Sequence, residues 1–289
     1  MLGMSWLAVA YGIPTTMLFE SMTSSGIMIG LFTTFQQLAS IFQIPSVIVS
    51  EHFKSRKKYW GVLAMTNRIL WFSPAIMILC MWNRPNLAAI ILLLILGISA
   101  GFGQAATPVW LHWMSDLIPE KISERYWGVR QSFTISAFLL ATIVSGIVLD
   151  IFPSPEKSGG SYTGFLIVFF VAALLGVFDI VIHLKVPDVK RISSDKISED
   201  FGKLLLPMKN SDFRNMTLAY AFWYLALCVL GHFGLIYLKR TFSVNYTQIA
   251  IISASGLLSM AIFGFINGRL IEKIGARTYF CIALFVIPL

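Results

Sequence analysis

Apolar positions in this chain fill long stretches instead of alternating or recurring at one helical face. Nine such runs stand out, at 1–19, 27–49, 59–82, 87–107, 128–149, 162–184, 215–238, 247–267 and 278–289. A bilayer core about 30 Å thick takes roughly 20 apolar residues at 1.5 Å of rise each. The first eight runs therefore predict membrane-spanning helices. The ninth holds only twelve residues and ends at Leu289 without a polar flank. That pattern predicts a chain cut within a ninth span, and trimmed at its start, where the first run begins at Met1. Pro14 and Pro74 fall inside runs and predict kinks, which membrane helices tolerate.

Composition agrees. Hydrophobic residues make up 57% of the chain and charged residues 12%, with a mean hydropathy of +0.76. Soluble domains carry roughly 25% charged residues. The expected class is all-α, a polytopic membrane helical bundle embedded in a lipid bilayer. Cys80, Cys228 and Cys281 lie far apart within apolar runs, so neither a disulfide framework nor a zinc site is expected.

The net charge of +8 does not point to nucleic acid, because the charges sort by loop. Seventeen of the 22 lysines and arginines lie in or beside the loops between spans 2 and 3, 4 and 5, 6 and 7, or 8 and 9. The positive-inside rule puts these loops in the cytoplasm and the chain in the cell membrane as a multi-pass protein. The opposite loops hold Arg84, Lys157, Lys239 and Arg240, the last two forming a pair that departs from the rule. Arg68 lies within a span.

The one long connection is KVPDVKRISSDKISEDFGKLLLPMKNSDFR, 185–214. It reads as a linker whose FGKLLLPM stretch lies on the membrane face as a short helix. It divides the chain into an N-terminal six-helix bundle at 1–184, the linker, and an incomplete C-terminal bundle at 215–289. VIVSEHFKSRKK after span 2 and GRLIEKIGAR after span 8 occupy matching places, with Glu51 aligning on Glu272 and Arg56 on Arg277. Parallel repeats of this kind are a transporter plan.

GRLIEKIGAR fills the pattern G-x-x-x-[D/E]-[R/K]-x-G-x-[R/K] with Gly268, Glu272, Lys273, Gly275 and Arg277. This resembles the loop motif of the major facilitator superfamily. DLIPEKISERYWGVR (116–130) and PMKNSDFRNM (207–216) are similar to that family's helix 4–5 loop and its approach to helix 7. The resemblance implies a 6+6 helical plan of twelve spans, of which about nine are present. It implies a secondary transporter moving a small-molecule solute by alternating access, with no bound cofactor. It also implies a conformational latch: Glu272 against the start of span 5 (122–130), with Arg130 a second partner and Glu51 and Arg56 a degraded first copy. The family's helix 4 arginine is missing from GISAGFGQAATP (97–108), and span 5 lacks a Gly-Pro motif. Neither proton coupling nor antiport is supported, so the coupling ion is open.

Polar residues inside a bilayer are costly and mark sites or helix contacts. Gln36 and Gln37 in span 2, Gln104 in span 4, and Tyr220, Tyr224 and His232 in span 7 are candidates for a solute cavity. Trp223 accompanies the tyrosines. Arg68 reads as a solute or coupling residue, or as a structural pair reaching the inner face. Asp179 reads as structural. His112, Asp116 and Glu120 share a helix end, the nearest approach to a metal or catalytic cluster, without a partner cluster elsewhere. A polytopic membrane enzyme and a non-functional transporter gene fragment are the competing readings.

Overall fold

The computed structural model describes residues 1–23, 25–81, 83–152, 161–188, 206–252, 254–256, 258, 278 and 282. Among them every regular element is a helix. In hydrocarbon no water can satisfy a backbone amide, so a spanning segment must close its hydrogen bonds within itself.

The first span is two helices, α1 (Leu2–Ala10) and α2 (Ile13–Met22). The break falls just before Pro14, which occupies the first turn of α2, where a missing N–H is harmless. Thr15 Oγ1 donates to the Val9 carbonyl at 2.7 Å and satisfies an acceptor near the break. The third span breaks in the same way before Pro74, into α5 (Arg56–Leu70) and α6 (Ser73–Met81). Between them, α3 (Gly26–Leu38) tightens into a 3-10 turn at Ala39–Phe42 and continues as α4 (Gln43–Glu51).

Three further helices complete the six segments that, among the described residues, are long and apolar enough to cross a membrane: α7 (Pro85–Leu117), α8 (Glu120–Ile151) and α9 (Thr163–His183). Here the structure corrects the sequence reading. α7 continues to Leu117 instead of stopping at 107, and α8 starts at Glu120 instead of 128. The stretch 116–130, likened above to a loop, is therefore helix on either side of a turn at Ile118 and Pro119, in keeping with 122–130 as the start of span 5. Hydropathy marks where lipid begins, whereas the helix runs on into the polar zone as long as its backbone bonds continue.

After a 3-10 turn at Leu206–Lys209 comes α10 (Ser211–Phe242), 32 residues long. Asn210 caps it, its Oδ1 accepting from the N–H groups of Asp212 and Phe213 at 2.9 and 3.3 Å. Residues 246–252 are again helical.

The interior is aromatic near α1 and built of small residues along α7. Trp6 meets Trp71 edge-on at 5.6 Å, and Trp71 stacks on Phe169 at 6.4 Å. Ala88, Ala89, Ser99, Ala100, Ala105 and Ala106 of α7 are buried, which lets neighbouring backbones approach closely. Large apolar side chains such as Val62, Leu79 and Leu140 lie on the outside, as a bilayer solvent requires.

Candidate functional site

The ends of the bundle differ in chemistry. At the end carrying the basic loops, Arg56 is buried and donates to Asp116 Oδ2 at 2.8 Å, with Glu51 farther off at 3.9 Å. Ser55 caps α5 by accepting from the Lys58 N–H and donates to Asp188 at 2.5 Å. Trp113 Nε1 donates to the Pro187 carbonyl at 3.1 Å. Arg56 thus fastens the α4–α5 corner to the end of α7. Among the described residues, no group of His, Cys, Asp and Glu could hold a metal; the side chain of Glu120 lies outside them.

At the opposite end Glu20, its side chain only 6% exposed, binds two cations of α10. Lys239 Nζ reaches Oε2 and Arg240 Nε reaches Oε1, both at 3.2 Å. Nearby, Asp150 at the end of α8 accepts from the N–H groups of Tyr246 and Thr247 at 3.0 and 2.7 Å. A carboxylate suits these free donors at a helix start. A Cβ on Gly146 would lie 2.8 Å from the Ala250 side chain, so α8 and the 246–252 helix touch closely there. The Lys239–Arg240 pair, anomalous as a loop charge, is the partner of a buried carboxylate 219 positions earlier.

Between these ends lies a cavity of about 1240 Å³ among α1, α5, α7, α8 and α9. Its lining comes from the parts of the helices nearer the basic end: Trp60 of α5, Trp110 of α7, Tyr126 and Arg130 of α8, His183 of α9. Arg68 stands at the α1 side of it, its guanidinium 3.4 Å from the centre of the Trp6 ring. Gly176 makes room for this stack, since a Cβ there would lie 2.7 Å from Arg68 Cδ and 2.9 Å from the Trp6 ring. Arg68 Nη1 donates to Asn67 Oδ1, while Nε is buried without an acceptor among the described residues. Asn67 is itself held: its Nδ2 donates to the Ser99 carbonyl and hydroxyl at 2.8 and 2.9 Å. Gly103 allows that approach, with a Cβ there only 2.9 Å from Asn67 Nδ2.

His183 Nδ1 lies 2.9 Å from the Asp179 carbonyl and 3.8 Å from its carboxylate. A carbonyl only accepts, so Nδ1 carries the proton and Nε2 is the nitrogen left for other contacts. The Asp179 carboxylate lies against the first turn of α1, where a Cβ on Gly3 would be 2.4 Å from Oδ2. Arg130 rests on Trp110 at 4.5 Å and on Trp127 at 5.5 Å.

The candidates from sequence separate. Gln104 and Arg68 line the cavity, and Gln104 Oε1 also accepts from Gln43 Nε2 at 2.6 Å. Gln36 is buried and Gln37 exposed, and neither lines the cavity. Tyr220 and Tyr224 are exposed on α10, their rings 6.5 Å apart. Arg130 lines the cavity, and Glu51 and Arg56 stand at the basic end as described. The side chain of His232 and the stretch 268–277, with Gly268, Glu272, Lys273, Gly275 and Arg277, lie outside the described residues. Sequence reasoning missed Asn67, Trp6, Trp60, Trp110, His183 and Glu20. A lone acid at the end of an apolar run was the one visible signal for Glu20.

Comparison with known families gives one result. The family model described as Major Facilitator Superfamily matches residues 1–289. No curated protein and no solved structure matches the chain.

Proposed function

Because the chain belongs to the major facilitator superfamily, a family of secondary transporters, we propose that it carries a small solute across the cell membrane by alternating access. In this reading the cavity is the solute's vestibule, and the basic end faces the cytoplasm. The observation that carries it is the asymmetry of the two ends. One end is fastened across the sequence by Glu20 with Lys239 and Arg240, and by Asp150 with Tyr246 and Thr247. The cavity lies toward the other. This asymmetry supports an inward-facing state, with 1–184 as one rocking unit and the part after 215 as the other.

Rocking must break the Glu20 and Asp150 contacts and close the cavity. The motif at 268–277 would then engage the start of α8, with Glu272 near its free N–H groups, as the family's loop does. Gln36, Gln37, Tyr220, Tyr224 and His232 remain proposed contacts for the solute in states other than this one.

Solute uptake by proteoliposomes, with and without a proton or sodium gradient, tests the reading. A saturable uptake that is reduced by cross-linking a cysteine pair at positions 20 and 239 is expected. Uptake that ignores such a cross-link would overturn alternating access through this contact.

A further inference from the structure

The cavity is unusual in its charge arrangement, and this arrangement names a class of ligand. Among the described residues two arginines line it, Arg68 and Arg130. Among the described residues neither has a carboxylate at ion-pairing distance. Each lies over a tryptophan ring, Arg68 at 3.4 Å from the Trp6 centre and Arg130 at 4.5 Å from the Trp110 centre. Stacking uses the face of a guanidinium and leaves its in-plane N–H donors for a planar acceptor. Arg68 spends one donor on Asn67 and has none of its Nε donor satisfied.

A cation this far inside a hydrocarbon-spanning bundle is expensive, and intramembrane charges mark ligand or ion paths. Among the described residues one acid lines the cavity, Asp179, which lies against the first turn of α1 and acts on Arg68 as an opposite charge without reaching ion-pairing distance. It offsets part of the Arg68 charge and leaves Arg130 without such a neighbour among those residues. Much of the remaining wall is apolar and aromatic, with Trp60, Trp110 and Tyr126 lining the same space beside the polar Gln104, Thr107 and His183.

From these features we infer that the cavity takes a monoanionic amphiphile, a carboxylate carried on a flat apolar body. The carboxylate meets the in-plane donors of Arg68, a pairing whose geometry is planar on both sides. The apolar body lies against the tryptophan wall, and Arg130 attracts the anion from the basic end. The inference rests on the reading of this cavity as the solute site, and deepens it by naming the solute's chemistry.

The test uses the full chain in lipid nanodiscs and tritiated 1-naphthaleneacetate as the probe, measured by equilibrium dialysis. Its amide, 1-naphthaleneacetamide, has the same body without the charge. The acid should bind saturably and at least tenfold more tightly than the amide. Arg68→Gln should weaken the acid at least tenfold and leave the amide unchanged, with Arg68→Lys restoring part of the difference. Arg130→Gln, nearer the basic end, should weaken the acid about threefold, and it decides the matter if Arg68→Gln does not fold. Absence of saturable binding, equal binding of acid and amide, or acid binding unchanged in a folded arginine variant would overturn the proposal. Uptake of the same probe into proteoliposomes separates the two readings. Arginine-dependent binding without uptake keeps the anion site and removes the carrier role. Uptake that is indifferent to both arginine variants keeps the carrier role and removes the anion site.

Discussion

Glu20 and Lys239 meet at 3.2 Å although 219 positions separate them, and Arg240 holds the other oxygen of the same carboxylate. The pair ties the end of the first span to the end of α10. Both positions border a small cleft with Ser21, Met22, Thr23 and Asn86. Removing one member of a buried pair costs roughly 3–5 kcal/mol, and less where water reaches a partner. Arg240, 57% exposed, contributes little of that. Glu20→Gln should loosen this end. The rate at which a membrane-impermeant maleimide labels a cysteine at position 21, in a background lacking Cys80, Cys228 and Cys281, should rise at least fivefold. An unchanged rate would show that Glu20 does not close this end.

Asp150 makes a second tie of different chemistry. It caps the 246–252 helix through two backbone donors. Loss of a cap costs about 0.5–2 kcal/mol. Asp150→Ala should lower the apparent Tm in detergent by a few degrees, whereas Asp150→Asn, which keeps one acceptor, should lose about half as much. Equal loss in both variants would mean that charge, not capping, holds the contact.

Asn67 links α5 to α7 through the Ser99 carbonyl and hydroxyl, and Ser99 Oγ donates back to the Asn67 carbonyl at 3.1 Å. Interhelical hydrogen bonds in membranes average about 0.6 kcal/mol and reach about 1–2. Asn67→Ala should cost about 1–2 kcal/mol in a mixed-micelle unfolding titration. Ser99→Ala should cost less, because the Ser99 carbonyl still accepts from Asn67. A reversed order would place the main contribution on the hydroxyl.

Much of the fold is legible in the sequence because the bilayer simplifies it. Apolar length locates the first six spans, and Pro14 and Pro74 locate two breaks, since a proline cannot donate into its own helix. The helix ends of α7 and α8 are not legible, because hydropathy reports where lipid stops and backbone bonding continues past it. The site is legible only in part. Arg68 stands out because charge in an apolar run is costly. Trp6, Trp60 and Trp110 do not, because an aromatic in an apolar run gives no sign of which neighbour it faces. Whether Lys239 is a stray loop charge or an ion-pair partner depends on a residue in another span, and no local pattern carries that.

Arg56 shows how distance ranks two acids. Asp116 lies at 2.8 Å from it and Glu51 at 3.9 Å, and the Glu51 side chain is 37% exposed against 28% for Asp116. The shorter, less hydrated pair is the stronger. Asp116→Asn should therefore lower the apparent Tm more than Glu51→Gln, and Arg56→Ala at least as much as Asp116→Asn. A larger effect of Glu51→Gln would favour a role for Glu51 outside this pair, such as the latch that its place in the repeat suggests.

Arg130 stands between two roles that one experiment separates. Its guanidinium lies on Trp110 and Trp127 in this state. In the proposed latch it would be a partner for Glu272 of the 268–277 motif when the basic end closes. A contact of Glu272 with the helix start is worth roughly 0.3–1 kcal/mol, and up to about 2 where partly buried. A bias of that size shifts a two-state equilibrium about two- to thirtyfold, since 1.4 kcal/mol is a factor of ten. Glu272→Gln should then slow uptake by that order and leave solute binding intact. If Arg130 is the partner, Glu272→Arg combined with Arg130→Glu should recover uptake that either change alone loses. If the tryptophan stack is what matters, Trp110→Ala should reproduce the uptake of Arg130→Gln, and the charge exchange should recover nothing. Recovery by charge exchange together with indifference to Trp110→Ala would assign Arg130 to the latch, and would leave Arg68 as the cavity's anchoring cation.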